Sequence, residues 1–143
     1  MLARAYGQKN GLTDRQLIKR AADAGGPTLK GGTGIGGMVR IGEWLDLPTR
    51  SNAHRPNQVR AARRQVKHGY TVVALGDSYA LPWRWNPKKH EGHFIVLTEM
   101  TQRGRFQVRD PADKAEPNGP RTLTPLQLRR FIQKWDGSTL RVG

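Results

Sequence analysis

Gly92-His93-Phe94-Ile95-Val96-Leu97-Thr98, followed after the turn signal Arg103-Gly104 by Arg105-Phe106-Gln107-Val108-Arg109-Asp110-Pro111-Ala112, is the stretch whose reading decides the fold. Both runs are short, rich in β-branched and aromatic residues, and bounded by turn residues, the pattern of two antiparallel strands in a hairpin. His93 opens the first strand and Asp110 ends the second. A hairpin turning near Arg103-Gly104 brings those two positions to one end of the ladder, where a carboxylate can orient an imidazole as a general base. The plainer reading of the same residues is a strand-entry histidine and an Asp-Pro turn.

Working outward, Tyr70 to Leu75 reads as a strand before the hairpin and Thr139 to Val142 as a short one at the end. The first half of the chain is helical in texture. Leu12-Thr13-Asp14-Arg15-Gln16-Leu17 carries a complete helix start, with Thr13 as N-cap, Gln16 closing a capping box and Leu12 stapling onto Leu17. That helix is expected to run to about Ala24, before Gly25-Gly26-Pro27. Ile35, Met38, Val39, Gly42 and Leu45 mark a second helix, and Val59, Ala62 and Val66 a third that ends at His68-Gly69. Pro48 to Asn57 between them is polar and turn-rich. Thr124-Pro125-Leu126-Gln127 repeats the capping box, with Leu128, Phe131, Ile132 and Trp135 as the apolar face of a last helix. Helices followed by a mostly antiparallel sheet make an α+β architecture. With 143 residues, no internal repeat and no long linker, residues 1–143 are expected to form one domain.

Composition narrows the function classes. Hydrophobic residues make up 36% and charged residues 25%, a globular balance at the polar end. Lys and Arg number 25 against 11 Asp and Glu, a formal charge of +14 that favours anionic partners such as nucleic acid or an acidic polymer. The absence of cysteine excludes a disulfide framework, a thiolate metal site and a thiol nucleophile within this sequence. No apolar run approaches the roughly 18 residues of a membrane helix, and Met1-Leu2-Ala3-Arg4-Ala5 lacks the organisation of a signal peptide. A soluble protein is expected, with virion association or export without a signal peptide both open.

Along nearly its whole length the sequence resembles the bacteriocin-processing cysteine peptidases, family thirty-nine of that class, and their papain-fold relatives. Met1-Leu2-Ala3-Arg4-Ala5-Tyr6-Gly7 is similar to the tail of the helix that begins with those enzymes' Cys-Gly-Pro. The capped helix from Leu12 to Ala24 follows in the same order, then Gly32-Thr33-Gly34-Ile35-Gly36-Gly37-Met38 for a Gly-Thr-Ser-like turn and helix. His93-Phe94 matches the His-Phe-x-Val-Val strand, Asp110-Pro111-Ala112 the Asp-Pro-Ala turn, and Trp135-Asp136-Gly137 the Trp-x-Gly ending. The resemblance implies a papain-like fold, with His93 as catalytic histidine and Asp110 as its orienting partner. It also implies that the nucleophilic cysteine and an oxyanion-hole glutamine belong before Met1, so the sequence as it stands should be inactive. With such a segment upstream, the implied activity is hydrolysis of peptide bonds, including peptidoglycan stem peptides as in related phage lysins. A partner chain that completes the fold is the other implied route, since the missing helix would leave an apolar groove. No cofactor or metal is implied.

Other constellations compete. Val72-Val73-Ala74-Leu75-Gly76-Asp77-Ser78-Tyr79 resembles the nucleophile block of the Gly-Asp-Ser esterases, with Ser78 as nucleophile; yet no Asp-x-x-His follows, and the plain alternative is a strand-to-loop turn. His90-Glu91-Gly92-His93 holds two histidines without a third ligand, so it is discounted as a metal site. Lys30 to Gly37 is glycine-rich but lacks Gly-Lys-Ser/Thr, and reads as a turn. Tyr79, Trp83 and Trp85, in a loop before His93, either line a substrate cleft or cover the sheet edge. Arg60, Arg63, Arg64 and Lys67 share one helix, with Arg84, Lys88 and Lys89 nearby in sequence. They form either a solvated face or an anion-binding surface of a noncatalytic binding module.

Overall fold

The computed structural model describes residues 11–26, 34–53, 56–113, 121–135 and 137–143. The segment Met1 to Gly7 and the glycine-rich turn around Gly32-Thr33 lie outside the described residues. In chain order the elements are α1 (Asp14–Gly25), α2 (Ile35–Trp44), β1 (Thr49–Ser51), α3 (Gln58–Lys67), β2 (Thr71–Asp77), β3 (Gly92–Met100), β4 (Phe106–Arg109), β5 (Arg121–Leu123), α4 (Pro125–Gln133) and β6 (Thr139–Val142). Two short 3₁₀ turns, Ser78–Ala80 and Pro82–Arg84, lie between β2 and β3. The α+β expectation holds: the six strands form one sheet in the order β1-β6-β2-β3-β4-β5, every pairing antiparallel.

Side chains alternate across each strand, so β2 and β3 feed two cores at once. Val72, Ala74, Ile95 and Leu97 face α3 and α4, where they meet Val66, Leu128 and Phe131. Val73 and Val96 face the other way, toward Leu17 of α1 and Leu45 beyond α2. Burying side chains of this size contributes about 2 kcal/mol each. The two anticipated capping boxes are formed. Thr13 Oγ1 accepts from the Gln16 amide at 3.3 Å while Gln16 Oε1 accepts from the Thr13 amide at 3.0 Å. Thr124 and Gln127 do the same at 3.2 and 2.9 Å.

Several boundaries differ from the sequence expectation. Thr49–Ser51 and Arg121–Leu123, unanticipated, are three-residue strands. Both lie at the sheet edges, where polar residues are tolerated and no hydrophobic alternation marks them. Strand β2 continues to Asp77, where Gly76 and Asp77 pair with His93 and Gly92, and Gly76 also lets α4 approach, since a Cβ there would overlap the Phe131 carbonyl oxygen. Trp135 does not belong to the apolar face of α4. The helix ends at Gln133, and Trp135, 38% exposed, lies against Gly92, where a Cβ would come within 2.8 Å of its indole. Gly137 is required by a similar approach, since a Cβ would overlap the Leu75 carbonyl oxygen.

A buried polar cluster ties the β1 end of the sheet to α3. Asn52 donates from Nδ2 to Gln65 Oε1 and Thr139 Oγ1, both at 2.9 Å, and accepts from Gln65 Nε2 at 3.1 Å. On the opposite face, among the described residues, α1 and α2 leave part of the sheet uncovered. An apolar groove of about 280 Å³ remains there, lined by Leu17, Met38, Ile41, Trp44, Phe94 and Val96, with Pro111 at its margin. Among the described residues, no helix is long and apolar enough to cross a membrane.

Candidate active site

Antiparallel pairing sets His93 opposite Gly76 on β2 and Val96 opposite Arg109 on β4. The chain leaves β4 at Asp110, beside the start of β3, and the side chains of His93 and Asp110 meet. His93 Nε2 lies 2.6 Å from Asp110 Oδ1. Asp110 is fully buried, and the His93 side chain is 17% exposed. The same carboxylate accepts the Trp83 indole N–H on Oδ2 at 2.9 Å and the Ala112 amide on Oδ1 at 2.9 Å. Burial by itself would raise the Asp110 pKa, but the bonds from His93, Trp83 and Ala112 outweigh it and hold the carboxyl at about 2. An ionised carboxylate only accepts, so His93 Nε2 is the donor in this bond and carries a proton. The second ring nitrogen of His93, Nδ1, makes no hydrogen bond among the described residues.

Trp83 is itself braced. The Arg121 guanidinium lies 5.7 Å from its ring centroid, and Arg121 Nε pairs with Asp113 Oδ2 at 2.6 Å. Of the three aromatic residues considered as a cleft lining, Trp83 alone reaches the His93–Asp110 pair. Tyr79 lies near Arg84 and Lys89, with their charged groups 5.7 and 5.8 Å from its centroid. Trp85 is 55% exposed with Lys134 Nζ 5.0 Å from its ring.

The histidines of His90-Glu91-Gly92-His93 diverge to different carboxylates. His90 Nδ1 lies 2.7 Å from Oδ2 of the buried Asp77, whose Oδ1 accepts the amides of Tyr79 and Glu91 at 3.0 and 3.1 Å. Burial would raise the Asp77 pKa, yet these partners, His90 foremost, lower it. This second pair was missed from the sequence. Its signal lies in the register: Asp77 ends β2 opposite Gly92, two residues from His90. No group of three or more possible metal ligands occurs among the described residues.

The esterase reading of Ser78 is corrected. Ser78 is fully buried, its Oγ has no hydrogen-bond partner among the described residues, and the strand it follows belongs to an antiparallel sheet rather than a doubly wound parallel one. The hydroxyl is not presented to any substrate. Arg60, Arg63, Arg64 and Lys67 are exposed along α3, away from the His93–Asp110 pair in sequence and on a different element.

No protein-family model matches the sequence, and comparison with curated proteins gives no match. A solved structure from Bacillus anthracis, described as a C39-like peptidase, is similar to this chain with a TM-score of 0.58 and 13% sequence identity. The likeness covers 78% of this chain, which spans 60% of the length of that protein. What the two proteins share is the α+β fold, consistent with a papain-like architecture.

Proposed function

We propose that this chain is the histidine-bearing part of a papain-like cysteine peptidase, with His93 as its base and Asp110 holding that base. The observation that carries the reading is the 2.6 Å bond from His93 Nε2 to a fully buried carboxylate, which leaves Nδ1 available. The sequence contains no cysteine, so on this reading the thiol is supplied by a helix from outside it. The apolar groove is the seat for that helix. Its lining reaches Phe94 and Pro111 at the end of the sheet where His93 and Asp110 stand, and because His93 alternates with Phe94 to the other side of β3, such a helix has to extend past that end to reach the pair.

In the reaction, His93 Nδ1 takes the thiol proton and the thiolate sulfur attacks the peptide carbonyl carbon. The C–N bond breaks as His93 returns that proton to the leaving amine. Water then gives a proton to Nδ1 and its oxygen attacks the thioester, releasing the acid and restoring the thiol. Asp110 stabilises the imidazolium in both halves. The substrate is a peptide, and the +14 charge suits one embedded in an anionic polymer such as peptidoglycan.

The test begins with the reading frame upstream of the Met1 codon, where a glutamine and then Cys-Gly-Pro are expected. The product carrying that segment should hydrolyse peptide substrates, and Cys→Ala and His93→Ala should each lower kcat/KM by about a thousand-fold or more. Equal activity in all three proteins would overturn the mechanism. A frame without the cysteine would leave the chain a noncatalytic domain unless a partner supplies the helix.

A further inference from the structure

On the opposite side of the sheet from the apolar groove, α3 and α4 leave a cleft of about 410 Å³ between them. Arg60 and Arg63 from α3 and Arg129 from α4 line it, over Val59, Pro125 and Leu126. All three arginines are exposed. Among the described residues their guanidinium groups make no ion pair or hydrogen bond, and no carboxylate lines the cleft. Three unpaired cations held around one concavity repel each other, and an anion relieves that repulsion.

The positive surface continues beyond the cleft. A Cβ on Gly104 would lie 3.9 Å from Arg63 Nη2, so the β3–β4 turn abuts this arginine. A second hollow beside that turn is lined by Arg103 and Arg105 together with Gln107 and Thr122. Arg64 and Lys67 prolong the α3 side. The cations are thus spread along a track, which suits a ligand with repeated charges. Among the described residues no aromatic ring lines either hollow. Single strands are held largely by base stacking on aromatic rings, whereas a duplex offers its phosphates to arginine without it.

We propose that the α3–α4 cleft, extended by the β3–β4 turn, binds the phosphate backbone of double-stranded nucleic acid, without sequence preference. Arg129 is the member that the sequence did not associate with the α3 stripe. The proposal is independent of the peptidase reading, since the cleft shares no residue with the His93–Asp110 pair.

Fluorescence anisotropy of a labelled DNA duplex titrated with the 143-residue chain tests it. Binding should weaken steeply as salt rises, with a log–log slope that R60Q/R63Q/R129Q makes shallower by about 2 to 3, one step per lost phosphate contact. The same variant should weaken binding at least about tenfold at low salt. The charge-retaining variant R60K/R63K/R129K should keep most of the affinity, which separates lost charge from a damaged fold. R15Q/K19Q/R20Q, which removes equal charge from α1 on the other side of the sheet, should change affinity by less than about twofold. No binding at low salt, equal losses from the two glutamine variants, or tighter binding of a single strand than of the duplex would each overturn the proposal.

Discussion

Replacing Asp110 by Asn removes one charge while nearly preserving shape, and the structure gives the cost. The carboxylate accepts on both oxygens, from His93 and Ala112 on Oδ1 and from Trp83 on Oδ2. An amide has one acceptor oxygen. If it faces Trp83, its NH₂ meets the Ala112 amide and the His93 ring; if it faces those two, the NH₂ meets the indole N–H. At least one buried donor then lacks an acceptor, at about 1–3 kcal/mol. The charge gives a second route to the same figure. A carboxyl held at about 2 instead of 3.8 is ionised about 2 kcal/mol more favourably in the folded chain than in the unfolded one. The two figures describe overlapping losses, so Asp110→Asn should destabilise by about 2–3 kcal/mol at pH 7. Because the folded pKa is depressed, the contribution of Asp110 is fully present above about pH 4 and is lost as pH falls toward 2. Urea unfolding of parent and variant should therefore converge over that interval. Nitrogen-15 NMR should also show the His93 proton leaving Nε2 in part for Nδ1. A penalty below about 0.5 kcal/mol at pH 7, or one that stays constant down to about pH 3, would refute the account of the carboxylate as the ionised anchor of His93.

Asn52→Ala should destabilise by about 2–4 kcal/mol in denaturant titrations, because Gln65 and Thr139 lose buried partners together. Gly137→Ala should lower the melting temperature sharply, since the added methyl group overlaps the Leu75 carbonyl oxygen and that backbone belongs to a central strand; an unchanged melting temperature would contradict the close approach. Asp77→Asn should cost about 1–3 kcal/mol and speed proteolytic cleavage between residues 78 and 91, because Asp77 joins Tyr79, His90 and Glu91 to the end of β2. The lowered Asp77 pKa gives its contribution the same sign, present near neutrality and lost in acid.

What the sequence made legible was governed by local rules. Both capping boxes follow from residue types three positions apart, and the β3–β4 hairpin from two apolar runs flanking Arg103-Gly104. The meeting of His93 with Asp110 was visible because a hairpin is a local structure with few registers. Long-range features were not legible. Trp83 reaches Asp110 across 27 positions, and an indole N–H has no sequence pattern that names its acceptor. The Asp77–His90 pair was hidden because each residue sat inside a motif that suggested different chemistry, a serine nucleophile in one case and a metal in the other. The edge strands β1 and β5 carry Arg50 and Arg121 where an interior strand would carry apolar residues. Arg129 joined Arg60 and Arg63 only through the packing of α4 beside α3, which periodicity within one helix does not contain.

Strand β3 gives its residues alternately to two surfaces. Phe94 and Val96 line the apolar groove, while Ile95 and Leu97 enter the core under α3 and α4, and His93 stands at the strand's head. A single strand thus runs from the groove to the imidazole. An occupant of the groove that favours one protonation state of His93 must, by reciprocity, be held more tightly when His93 is already in that state.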